Sequence, residues 1–93
     1  MTELSCYIVS YDLCQPDRDY TSLYTALKNY ENWGKLTEST WAIVTSKSLI
    51  QLRDELLHFM DSNDRLIVIR SGQHAAWSNI LANSQWAKEN LVK

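Results

Sequence analysis

Apolar positions along this chain change period several times, and each change marks an element. Cys6-Tyr7-Ile8-Val9-Ser10-Tyr11 is a run of β-branched and aromatic residues that predicts a buried strand ending at Asp12. Cys14-Gln15-Pro16-Asp17 breaks it, and Asp17 or Asp19 is placed to cap a helix. Tyr20, Leu23, Tyr24, Leu27 and Tyr30 then recur at offsets of three and four, one apolar stripe of a helix, with Gly34 as its expected left-handed stop. From Lys35 to Thr45 the residues favour extended chain, interrupted by Thr37-Glu38-Ser39. This predicts a hairpin or one long strand bent near Glu38 to Thr40. Ser48 and Gln51 have the spacing of a capping box, ahead of a second stripe of Leu49, Leu52, Leu56, Phe59 and Met60. Asp61-Ser62-Asn63-Asp64 is a turn cluster, Leu66-Ile67-Val68-Ile69 a short strand expected to be fully buried, and Gly72 its end. One or two short helices carrying Trp77, Ile80, Leu81, Trp86 and Leu91 are expected after it.

The order strand, helix, two strands, helix, strand is a split β-α-β arrangement. Right-handed crossovers give an antiparallel sheet of four strands with both helices on one face. The other face is then bare, which predicts either a partner or a tail folded back over it. We read the chain as a single domain, residues 1–93, with a core of 1–72 and a helical tail of 73–93.

Composition narrows the function. With 93 residues, 45% of them hydrophobic, and four Trp and five Tyr, a core is attainable without metal or disulfides. Two Gly in the whole chain exclude a glycine-rich phosphate cradle. Nine Lys and Arg against eleven Asp and Glu argue against strong nucleic-acid binding, which draws on neutralised phosphates. Nothing has the length of a membrane span, and Met1-Thr2-Glu3-Leu4 lacks the start of a signal peptide, so a cytoplasmic location is expected. Cys6 and Cys14 form no metal-binding pattern, and His58 and His74 have no ligand partner at zinc spacing. Asp61, Asn63 and Asp64 resemble a Ca²⁺ loop only superficially, because its glycine and distal Glu are absent; a capped turn is expected. Trp33, Trp41, Trp77 and Trp86 could stack bases, yet without a basic groove around them core or interface is the better reading, and Trp41 and Trp77 are assigned to core or a dimer interface.

Ser10-Tyr11-Asp12 closing a strand, Glu38-Ser39-Thr40-Trp41 at a bend, and Asp61-Ser62-Asn63-Asp64-Arg65-Leu66 before the last strand resemble the second CRISPR-associated protein, the small subunit that works with the integrase in adaptation. Ala75-Ala76-Trp77 and Trp86 to Leu91 extend the resemblance to its short SinR-like relatives. The resemblance implies a ferredoxin-like fold and a homodimer in which Asp12 of each chain faces its mate across a groove. There a shared Mg²⁺ or Mn²⁺ would support phosphodiester cleavage, with Ser39 as the nearby hydroxyl and Arg18 as a contact to nucleic acid. The family's basic run after the aspartate is reduced here to Asp17-Arg18-Asp19, which repels phosphate as much as it attracts it. Three classes of function stay open: a metal-dependent endoribonuclease or endodeoxyribonuclease, a non-catalytic scaffold with an integrase-like partner or in another phage-defence assembly, and a toxin-antitoxin ribonuclease of VapD-like type.

Overall fold

The computed structural model describes residues 3–72 and 74–92; Met1, Thr2, Gln73 and Lys93, which include both ends of the expected tail, lie outside the described residues. In chain order the elements are β1 (Ser5–Asp12), α1 (Thr21–Lys28), β2 (Asn32–Thr37), β3 (Thr40–Thr45), α2 (Leu49–Leu57), β4 (Arg65–Arg70) and α3 (Ser84–Leu91). The strands form one antiparallel sheet in the order β2-β3-β1-β4. This is a ferredoxin-like βαββαβ core.

Strand alternation sorts β1 into two faces. Tyr7, Val9 and Tyr11 join Trp41 and Ile43 of β3 beneath α1 and α2, where Leu23, Leu27, Leu52 and Leu56 close the main core. Trp41 is 1% exposed, and its indole N–H donates to the Tyr11 hydroxyl at 3.0 Å. That bond satisfies a polar group which burial would otherwise penalise. Cys6 and Ile8 point the other way, toward Ala42, Ala87 and Leu91.

Over β1, β2 and β3 the sheet's second face is therefore covered by the chain's own tail. Trp77, Ile80 and Trp86 pack with that second cluster. The tail hooks onto the sheet where β2 is irregular: pairing with β3 shifts between Lys35 and Thr37, and the carbonyl of Leu36 accepts from Leu81 N at 3.0 Å. A bulge leaves such a group outside the ladder. Asn83 then caps α3, accepting from the amides of Gln85 and Trp86 at 2.7 and 3.3 Å.

Local signals account for the other ends. Ser48 and Gln51 form the expected capping box. Asp19 accepts from Thr21 N at 2.9 Å at the start of α1. The turn before β4 is organised by Asp64, whose carboxylate takes the amides of Asp61 and Cys14, each at 2.7 Å, and the Tyr20 hydroxyl. It ties the loop after β1 to the turn after α2.

Two expectations need correction. Gly34 is not a helix stop: α1 ends at Lys28, no described glycine has positive φ, and Gly34 lies inside β2. Nor is the last strand fully buried. Leu66 and Val68 pack on the main core, but β4 is a sheet edge and Ile67 and Ile69 are 54% and 51% exposed.

Candidate functional site

Asp12 is the last residue of β1, at the rim of the sheet, where the antiparallel register sets Arg65, the first residue of β4, directly opposite. The guanidinium Nη1 is 3.8 Å from Asp12 Oδ2, with side chains 76% and 70% exposed. An ion pair this exposed contributes about 0–1 kcal/mol. Arg65 also donates to Cys14 Sγ at 3.5 Å, and that thiol lies 3.7 Å from the Asp12 carbonyl. Cys6 and Cys14 form no disulfide. Between β1 and β4 lies a shallow hollow of about 150 Å³, lined by Ser10, Tyr11, Asp12, Arg65, Leu66 and Ile67.

Ser39 comes near this rim through its backbone. Its carbonyl accepts from Tyr11 N at 3.1 Å, one residue before Asp12, and so holds the β2–β3 turn against the end of β1. The hydroxyls that meet here are those of Ser10 and Thr40, 3.2 Å apart. Arg18 is turned elsewhere, 3.5 Å from Asp61 Oδ1 and 5.4 Å from the centre of the Tyr20 ring. Its charge is thus partly offset by a carboxylate and an aromatic face. Trp41 lies within the core of the single chain, which leaves its ring no surface for a partner. Trp77 is half-buried beside the tail cluster, with its indole N–H 3.4 Å from Ser84 Oγ.

A hard divalent cation takes six or more oxygen ligands. Within one chain the hollow offers the Asp12 carboxylate, the Ser10 hydroxyl and main-chain oxygens, with a guanidinium 3.8 Å from the carboxylate opposing any second positive charge. A single chain therefore supplies one carboxylate, and a cation held between two would need the second from another chain.

The sequence pointed to Asp12 but not to its neighbours. Arg65 opposes it through a strand register, and Ile67 and Ile69 surface on an edge strand that the tail leaves half open. One signal was available: arginines at both ends of Leu66-Ile67-Val68-Ile69 are the charged flanks that edge strands carry. No family model, curated protein or solved structure matches this chain. No described helix is long and apolar enough to cross a membrane.

Proposed function

We propose that this chain is a homodimeric, non-catalytic assembly subunit of the cytoplasm, similar in role to the small CRISPR adaptation subunit but joined through the β4 edge rather than with Asp12 facing Asp12. The observation that carries this reading is β4 itself: a sheet edge whose Ile67 and Ile69 stay half exposed while the tail covers its neighbours. Burying the remainder of each isoleucine would contribute on the order of 1 kcal/mol, beyond the hydrogen bonds of a new ladder.

The segment Arg65-Leu66-Ile67-Val68-Ile69-Arg70 can pair with itself across such an edge. A two-fold axis through Ile67 sets Ile67 against the partner's Ile67, Leu66 against the partner's Val68, and Arg65 against the partner's Ile69.

This geometry separates the two Asp12 residues. Three strand spacings of about 4.8 Å and four residues of about 3.4 Å along the strand place them about 20 Å apart. No cation is shared across that distance, and Asp12 keeps Arg65 as its partner. The nuclease reading requires the opposite arrangement, with the sheets meeting so that the two carboxylates touch.

Cysteine cross-linking separates the two, in a background with Cys6→Ala and Cys14→Ala. Paired residues across antiparallel strands have Cα atoms about 4.5–5.5 Å apart, within the disulfide range. Ile67→Cys is therefore expected to oxidise to a covalent dimer, while Ile69→Cys, about 13 Å from its own copy along the strand, does not. Spin labels at Asp12→Cys should report a separation near 20 Å, and the wild-type protein should leave RNA and DNA intact with Mg²⁺ or Mn²⁺. A monomer in sedimentation, contact between the two positions 12, or metal-dependent cleavage lost in Asp12→Asn overturns the proposal.

A further inference from the structure

A cleft of about 630 Å³ lies between α1 and α2, and Asp12 is not among its lining residues. That volume is within the range of small-molecule sites, about 300–1,000 Å³. One wall is α1, where Ser22, Thr25 and Ala26 are short enough to leave space; the other is the end of α2 with His58 and Phe59. Polar groups gather at one end. The Lys47 ammonium is 2.6 Å from Glu55 Oε2, and the Tyr30 hydroxyl donates to Glu55 Oε1 at 2.7 Å. Lys47 also stands over the Tyr30 ring, 5.7 Å from its centre. Glu31, on the same lining, accepts from Thr45 Oγ1 at 2.9 Å and Ser46 N at 3.1 Å, and pairs with no cation among the described residues.

The charge of this cluster does not balance. Two carboxylates face one ammonium, and they repel each other. Lys47 beside Glu55 and the Thr45 hydroxyl on Glu31 hold both carboxyls below the usual carboxylate range, so both are ionised at neutral pH. Burial, helped by the bond to Glu55, pushes the Tyr30 phenol up, so it stays a neutral donor. The internal lysine displays what the cluster accepts: an ammonium against a carboxylate and over an aromatic face, the geometry of a cation–π contact.

From the cleft's volume, its aromatic and small-residue walls and its one excess carboxylate, we propose that it binds a small organic cation, an ammonium carried on an apolar or aromatic body. The ammonium pairs with Glu31 beside the Lys47–Glu55 bridge. The body lies between Ala26 and the Phe59 ring, and the hydroxyls of Ser22 and Thr25 border it. This site is independent of the β4 edge and of the state of Asp12.

Titration of the ¹⁵N-labelled protein with phenethylammonium, followed by amide NMR shifts, tests it. Saturable shifts are expected at Ala26, Asn29, Glu55 and Phe59. Phenethyl alcohol, without the charge, should bind about tenfold more weakly, the scale of a lost charge-assisted hydrogen bond, and phenylacetate should not saturate. Glu31→Gln keeps an acceptor for Thr45 and should weaken binding about tenfold. Ala26→Leu keeps the helix, narrows the cleft and should abolish binding, with a dispersed spectrum confirming the fold. Phenylacetate binding as tightly as the amine, no saturable shift at millimolar amine, or binding unchanged in both variants overturns the proposal.

Discussion

The indole of Trp86 lies so close over Gly34 that a methyl group there would sit 2.5 Å from its Cζ3. The ring cannot simply swing aside, because its N–H donates to Asn32 Oδ1 at 2.9 Å. Gly34 therefore serves close approach rather than chain reversal. Gly34→Ala should destabilise by about 1–3 kcal/mol, as overpacked sites do. In a double-mutant cycle by urea unfolding, Gly34→Ala should cost much less once Trp86 is Ala. Additive effects would place the strain elsewhere.

Trp41→Ala should cost about 3–5 kcal/mol, the range for a fully buried aromatic, and exceed Trp86→Ala. Trp86 is half-buried at the tail's contact with the sheet, so its loss should also be measurable, unlike that of a frayed terminus. Tyr11→Phe is the finer test. It removes the acceptor of the Trp41 indole N–H and should cost about 1–3 kcal/mol. Equal urea midpoints for wild type and Tyr11→Phe would show that bond to be dispensable.

Acid should loosen the corner held by Asp64. Burial opposes its charge, but the Cys14 amide, the Tyr20 hydroxyl and the Asp61 amide outweigh it and hold the carboxyl below its usual range. A carboxyl depressed by folding stabilises the native state above its unfolded value, about 3.9, and that contribution fades as pH falls through the lower folded value. Thermal unfolding from pH 6 down to pH 2 should show this loss, and Asp64→Asn should be less stable at pH 6 with a flatter acid limb. Parallel profiles for the two proteins would assign the acid sensitivity to other carboxyls.

Ending the chain at Gly72 should expose Cys6, Ile8 and Ala42, which the tail now covers. The shortened protein is expected to bind a hydrophobic dye and self-associate in sedimentation, although all four strands remain. A compact, dye-free species with the wild-type unfolding midpoint would show that the tail is not needed to shield this face.

Asp12→Ala, by contrast, should move stability by no more than about 1 kcal/mol, because its ion pair with Arg65 is exposed and solvent-screened. A larger loss in the urea midpoint would mean that the rim is tied down by more than this pair.

Much of this architecture was legible in the amino-acid order. Strand alternation in Tyr7-Ile8-Val9, the helical stripe from Tyr20 to Leu27 and the box of Ser48 with Gln51 are local, set by backbone geometry over a few residues. They predicted the element order and, with it, a sheet bearing two helices on one face. They also brought Asp12 to the end of the first strand. What lay beyond local reach was which long-range partner each group would take. Gly34 could have stopped a helix or made room for an indole, and Trp86, 52 residues later, decided it. The tail could have fallen away or folded back, and the free carbonyl of Leu36 and the apolar face of Ile8 and Ala42 drew it in. Arg65 stands beside Asp12 because β4 pairs with β1, and Ile67 and Ile69 stay exposed because the tail that covers Ile8 and Ala42 on the same face leaves them half open. The edge position of β4 is a property of the whole sheet's order, of which Arg65 and Arg70 at the strand's ends are the local trace.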